Sequence, residues 1–188
     1  MHIHCFITQA VEIVPAMRKD LLRFSKQLRL LGIRQDGPPV RASPTSRLLR
    51  SVISSAGTVR IDQFPPDSNI IALAKRIAAE QELRQIAHVS IFFSAAGAKT
   101  PLHYDANDVL VIQGRGLKTV LIARTALETN PETDKLLSEL DGVGPLEGVE
   151  IGAGEAILIP KGVPHATTTA RLSLTMGVSF AGPRLGNR

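Results

Sequence analysis

The sequence predicts an α+β protein, or an antiparallel barrel with a helical N-terminal cover, and three observations carry that prediction. The length of 188 residues suits one domain with a packed core. In the first half of the chain, apolar residues recur at helical spacing. From about residue 88 the period shortens, and short segments rich in β-branched residues alternate with Gly and Pro turns.

Each element follows from its own pattern. Met17, Leu21, Phe24, Leu28 and Leu31 form an apolar stripe on one helix, which Gly32 is expected to end. Gly37, Pro38, Pro39 and Pro44 mark Gln35–Thr45 as a loop. A second helix is expected to open at Asp67 or Ser68 as N-cap. It runs through Ile70, Leu73, Ala74 and Ile77 to about Ile86. Strands are expected at His88–Ser94, Val109–Gln113, Lys118–Ala123, Val149–Ile151, Glu155–Ile159 and Arg171–Phe180. Gly114-Arg115-Gly116 reads as a hairpin turn, since neither Lys-Ser/Thr nor a helix follows it as in a nucleotide loop. Ala126–Leu140, which contains Pro131, reads as an insertion with a few helical turns. The chain thus divides into residues 1–87, a basic helical cover, and residues 88–188, a strand-rich core, within one compact domain.

Composition removes several function classes. A hydrophobic content of 44% with 21% charged residues excludes a disordered chain. The longest apolar runs, Val109–Ile112 and Ala156–Ile159, are too short to cross a bilayer as helices, which argues against a membrane protein. Residues 1–17 include Glu12 and lack a secretory pattern, and Cys5 is the single cysteine. That excludes an internal disulfide and a Cys-based zinc module and predicts a cytoplasmic protein. The net charge of +5 is uneven: ten Arg or Lys between residues 18 and 60 face only Asp20 and Asp36. Such a segment is a solvated helix face or a surface for an anionic partner. The absence of Trp and the single Tyr favour the solvated face.

The chemistry concentrates on a few histidines. His103 and Asp105 form a His-x-Asp triplet, and in an extended strand residues i and i+2 share a face. Tyr104 between them is expected to point to the opposite face and pack. His165 follows an apolar strand and the Pro160-Lys161-Gly162 turn. Two imidazoles and one carboxylate on one side of an octahedral ion form the facial triad of non-haem Fe(II) oxygenases. The bland alternative is a hydrogen-bonded pair at a barrel mouth. His88 reads as a structural or surface histidine. His2, His4 and Cys5 lie in a terminus expected to be mobile, which argues against a ligand set there.

The stretches TPLHYDANDVLVIQGRGLKTVLIA (residues 100–123) and GEAILIPKGVPHATTTARLSLTMGVSF (residues 154–180) resemble JmjC-type cupins, and among them the ribosomal-oxygenase-like branch. The resemblance covers about residues 88–181. It implies a mainly β fold with an α cover, a double-stranded β-helix (cupin or jelly-roll) core preceded by N-terminal helices. It also implies Fe(II) held by His103, Asp105 and His165, with 2-oxoglutarate and O2 as co-substrates. Lys118, 15 residues after His103, takes the place of the basic residue that pairs with the distal carboxylate of 2-oxoglutarate. Thr100 matches a Thr that adds a hydroxyl to the same carboxylate.

By that resemblance the chain is a hydroxylase acting on a peptide, protein or small-molecule C–H, with succinate and CO2 as co-products. Members of that branch carry further C-terminal material, whereas here eight residues follow Phe180, so a ribosomal-protein substrate is not carried over. Aromatic residues common near the distal histidine are replaced by Val163 and Pro164. Two rival readings stay open. One is a metal cupin, dioxygenase or isomerase, that needs no 2-oxoglutarate. The other is a non-catalytic cupin that binds an anionic partner through residues 18–60. Monomer and homodimer are both compatible with the sequence.

Overall fold

The structure is a computed structural model that describes residues 3–24, 28–33, 40–42, 54–83, 85–137 and 142–181. The chain begins with β1 (Ile3–Phe6), a 3-10 turn over Thr8–Glu12 and helix α1 (Ile13–Phe24). Next come β2 (Arg29–Ile33), β3 (Val40–Ala42), β4 (Thr58–Asp62) and helix α2 (Asn69–Glu80). The remaining strands are β5 (Ile86–Ser94), β6 (Lys99–Tyr104), β7 (Asp108–Arg115), β8 (Leu117–Ala123) and β9 (Lys135–Leu136). They are followed by β10 (Leu146–Gly152), β11 (Glu155–Ile159), β12 (His165–Thr169) and β13 (Ser173–Phe180).

Among the described residues these strands form two antiparallel sheets, the mainly β jelly-roll architecture of a cupin. The larger has the order β1-β11-β7-β13-β5-β4-β2-β3, and the smaller β10-β8-β12-β6-β9. No helix among the described residues is long and apolar enough to cross a membrane.

Alternation along each strand assigns every residue to one of two faces. The outer face of the large sheet presents Ile61, Ile91, Ile112, Leu158 and Met176. Helices α1 and α2 cover it with Ile13, Met17, Ile70, Leu73 and Ile77, all but excluded from solvent. Each such side chain contributes about 1.5–3 kcal/mol of burial. The inner face is apolar at one end, where Ile157 and Ile159 meet Val120, Ile122 and Ile151 across the sandwich. At the other end it is polar, and the candidate site lies there.

Several expectations are corrected here. The first helix ends at Phe24, and Leu31 and Gly32 lie in β2, paired with β3 and β4. Leu28 still enters the core, but from the connection. A four-three apolar spacing over a short stretch fits a helix, and the ladder to β4 overrides it. The second helix ends six residues before Ile86. Its C-cap is a Schellman motif in which Leu83 N–H donates to Ala78 O and Glu82 N–H to Ala79 O. The left-handed residue is Glu82, at φ 51°, so no glycine marks the end in the sequence.

The turn at Gly116 is a corner, not a hairpin: β7 pairs with β11 and β13, while β8 pairs with β10 and β12. Gly116 has φ 85°, and a Cβ there would lie 2.5 Å from Leu172 O. Ala126–Leu137 is non-helical, a run of bends ending in β9; residues 138–141 lie outside the described residues.

Residues 1–87 supply four strands to the large sheet as well as the two helices. Ile3–Phe6 is paired with β11 rather than a loose terminus. Most of the basic segment 18–60, and with it the anionic-partner reading, lies outside the described side chains. Arg18, Lys19 and Arg23 are exposed on α1, as a solvated face requires, but Arg60 is on the inner face of the barrel.

Candidate metal centre

The small sheet places the site. Strands β6, β12 and β8 lie side by side, with His165 opposite His103 on one side and Ile122 on the other. Thr167 stands opposite Thr100 and Val120, and Thr169 opposite Lys118. Directly paired residues share a face, so His103, His165, Thr100, Thr167, Thr169 and Lys118 all line the inner wall. Asp105 follows the last residue of β6. Tyr104 is buried on the opposite face, as expected.

The three sequence-predicted ligands come together. One donor atom from each of His103, Asp105 and His165 lies within 4.8 Å of the others. His165 Nε2 is 3.4 Å from Asp105 Oδ2, and His103 Nε2 is 3.9 Å from Asp105 Oδ1. The imidazole centroids are 4.2 Å apart. The backbone fixes both tautomers. His103 Nδ1 lies 2.8 Å from Pro101 O, and His165 Nδ1 lies 3.0 Å from Val163 O. A carbonyl only accepts, so each Nδ1 carries the proton and each Nε2 lone pair faces the cluster.

The electrostatics suit an ion. Burial, reinforced by the charge of His103, pushes His165 down to about 3, so its imidazole is neutral at physiological pH. Burial and the charge of Asp134 raise Asp105, against the opposing charges of His103 and Arg60. A carboxylate held in that environment without a cation is costly, and a divalent ion removes the cost. The donor set therefore fits a divalent transition metal.

Loop contacts clamp the ligands. Gly162 N–H donates to Asp105 O, and Gly162 O accepts from Leu127 N–H. Gly162 has φ 71°, and a Cβ there would lie 1.6 Å from Glu128 O. Asp134 accepts from Ala106 N–H at 2.8 Å, closing the segment before β9 over the Asp105 loop.

Lys118 is 5% exposed, and its Nζ lies 5.9 Å from the centre of the Phe92 ring. Burial alone lowers it to about 8, and it has no anionic partner among the described residues. Ser173 Oγ, also buried, lacks a hydrogen-bond partner among the described residues. Ser173 pairs with Ser94, two positions along the ladder from the Thr175–Phe92 pair, so it faces the same chamber. A buried unpaired cation and an orphaned hydroxyl fit a small dianionic acid. Thr100 Oγ1 accepts from Thr167 N–H at 2.9 Å and lies 2.9 Å from Thr167 Oγ1. Sequence reasoning missed Thr167, Thr169, Ser173, Phe92 and Arg60. His88 belongs to a structural network with Asp62, as a non-ligand histidine should.

Comparison with known proteins follows the same line. No curated protein sequence matches the chain. Among solved structures, YcfD from Escherichia coli aligns with a TM-score of 0.62 at 23% identity, over 84% of this chain and 42% of that one. A structure of the same protein, described as a ribosomal oxygenase in complex with cobalt and 2-oxoglutarate, gives a TM-score of 0.67. There the identity is 16%, over 98% of this chain and 49% of that one. The chain thus spans less than half the length of the YcfD chains, which share its fold. A family model described as JmjC domain matches residues 68–187, from the α2 cap through β13, and the chain belongs to that family.

Proposed function

We propose that the chain is an Fe(II)- and 2-oxoglutarate-dependent oxygenase that hydroxylates a C–H of a peptide, protein or small molecule. The observation that carries this reading is the pairing of two features in one chamber. They are the convergent His103, Asp105 and His165 donors and the buried, unpaired Lys118. YcfD, described with cobalt and 2-oxoglutarate, supports it by shared fold. A 2-oxoglutarate-independent cupin would leave the Lys118 charge without a role.

Bound Fe(II) would supply O2 activation coupled to decarboxylation of the 2-oxo acid, giving succinate and CO2. The chain's own residues position the reactants. His103 and His165 present Nε2 because their Nδ1 protons are tied to the backbone. Lys118 receives the distal carboxylate, and the hydroxyls of Thr100, Thr169 and Ser173 supply further donors. The apolar end of the sandwich, built on Ile122 and Ile157, excludes water from beneath the centre.

Incubation with Fe(II), ascorbate and 2-oxoglutarate labelled at the carboxylate that is lost tests the reading. Labelled CO2 release above that of His103→Ala is expected even without a prime substrate. Release no greater than that control, with iron bound to the wild type, would overturn it.

A further inference from the structure

The inner face of β4 and β5 carries a second polar cluster that neither metal nor co-substrate uses. Asp62 Oδ1 accepts from Arg60 Nε at 2.8 Å and from Ser90 Oγ at 2.6 Å, and His88 Nε2 lies 3.0 Å from it. Burial acts to raise the Asp62 carboxyl, but hydrogen bonds from His88, Ser90 and Arg60 outweigh it and bring it down to about 2. Asp62 is therefore ionised, and two donors, Arg60 Nε–H and Ser90 Oγ–H, with His88 Nε2 beside them, hold one oxygen still. Its Oδ2 has no partner among the described residues, nor does Arg60 Nη1. Both side chains stay accessible, 36% exposed for Arg60 and 25% for Asp62.

The cluster faces the reacting chamber. The Arg60 guanidinium lies 5.7 Å from the centre of the Phe92 ring, the ring that Lys118 also approaches. Its charge also acts on Asp105. The chemistry narrows what binds there. An anionic group would meet Asp62 and a cationic group would meet Arg60, so a lone charge of either sign is opposed by one of the pair. A guanidinium edge beside a carboxylate oxygen instead offers donors and an acceptor together. An amide offers the complement, a carbonyl oxygen and an N–H.

We propose that Arg60 and Asp62, braced by His88 and Ser90, bind the prime substrate through an uncharged amide, of a peptide backbone or of an Asn or Gln side chain. This inference rests on the oxygenase reading and names the substrate class for the same site.

The test uses Zn(II)-loaded protein with 2-oxoglutarate, which does not turn over, titrated with N-acetylated, C-amidated tripeptides. Their central residue is Asn, Gln, Ala, Asp or Lys, and binding is read from the Arg60 Nε–H resonance. Neutral peptides are expected to shift that resonance and to bind at least about tenfold tighter than the Asp and Lys peptides. Equal binding of the Ala peptide assigns the backbone amide, and binding of only the Asn and Gln peptides assigns the side chain. Arg60→Lys keeps the charge but loses the planar fork, and should weaken neutral-peptide binding about tenfold at an unchanged melting temperature. Charged peptides binding as well as neutral ones, or no shift with any peptide, would overturn the proposal. So would a folded Arg60→Lys protein of undiminished affinity. Should Arg60→Lys not fold, the wild-type selectivity decides alone. Failure of the wild-type protein to bind 2-oxoglutarate would instead overturn the oxygenase reading.

Discussion

Burial brings Lys118 down to about 8, and the Phe92 ring, 5.9 Å from its Nζ, offers the charge only a weak partner. The folded value lies below the ordinary 10.5. Between these two values the unfolded chain holds a proton that the folded chain releases. Stability of the ligand-free protein should therefore rise with pH from about 8 to 10.5, and Lys118→Met should abolish that slope in urea titrations. The same proton matters for binding, since only the ammonium pairs with a carboxylate. The dissociation constant for 2-oxoglutarate should rise with pH above about 8. Lys118→Met should weaken it about a hundredfold with metal affinity retained, as calorimetry would show. Equal 2-oxoglutarate affinity in wild type and Lys118→Met would remove Lys118 from the site.

Among the elements, helix α2 is anchored by a residue of α1. Asp20, fully buried, accepts from Asn69 N–H at 2.9 Å and Ile70 N–H at 2.8 Å, while Ser68 Oγ accepts from Ile71 N–H. The carboxylate complements the helix dipole and ties the two cover helices together. Asp20→Ala should cost about 2–3 kcal/mol in urea denaturation, and a loss within error would contradict this anchoring. At Gly162 a side chain would meet the Glu128 backbone, so Gly162→Ala must displace the turn that holds Asp105 and leads into His165. Metal affinity should fall about tenfold or more in a protein that stays folded.

The Ser68 cap was legible because its signal is local, whereas Asp20 acts on a partner 49 residues away and looked like one more charge on a solvated helix. Strands β6 and β12 escaped for a related reason: their inner faces are Thr and His, not Val and Ile, because they line the site. The candidate metal ligands were legible only in combination, because a lone His-x-Asp is common by chance and gained meaning from the distal His165 and the JmjC resemblance.

At the scale of the whole molecule, one sandwich does two jobs. Its outer face, covered by α1 and α2, holds the main core, and its inner face divides into an apolar plug and a polar chamber. The alternation within β7, β8, β10, β11 and β13 made the β architecture legible. The corner at Gly116 was not, because the same Gly-flanked turn serves a hairpin or a crossing between sheets. Nor was the Arg60–Asp62 wall, which forms only when β4 pairs with β5 and brings His88 to Arg60 across 28 residues.

The central claim is that the chamber holds a metal on His103, Asp105 and His165 and a 2-oxo acid on Lys118. Anaerobic titration of the Fe(II)-loaded protein with 2-oxoglutarate, followed by visible absorbance, tests it most directly. The account predicts a charge-transfer band that saturates at one equivalent, is absent in His103→Ala, and needs about a hundredfold more 2-oxoglutarate in Lys118→Met. A wild-type protein that binds Fe(II) yet shows no band at saturating 2-oxoglutarate would contradict it.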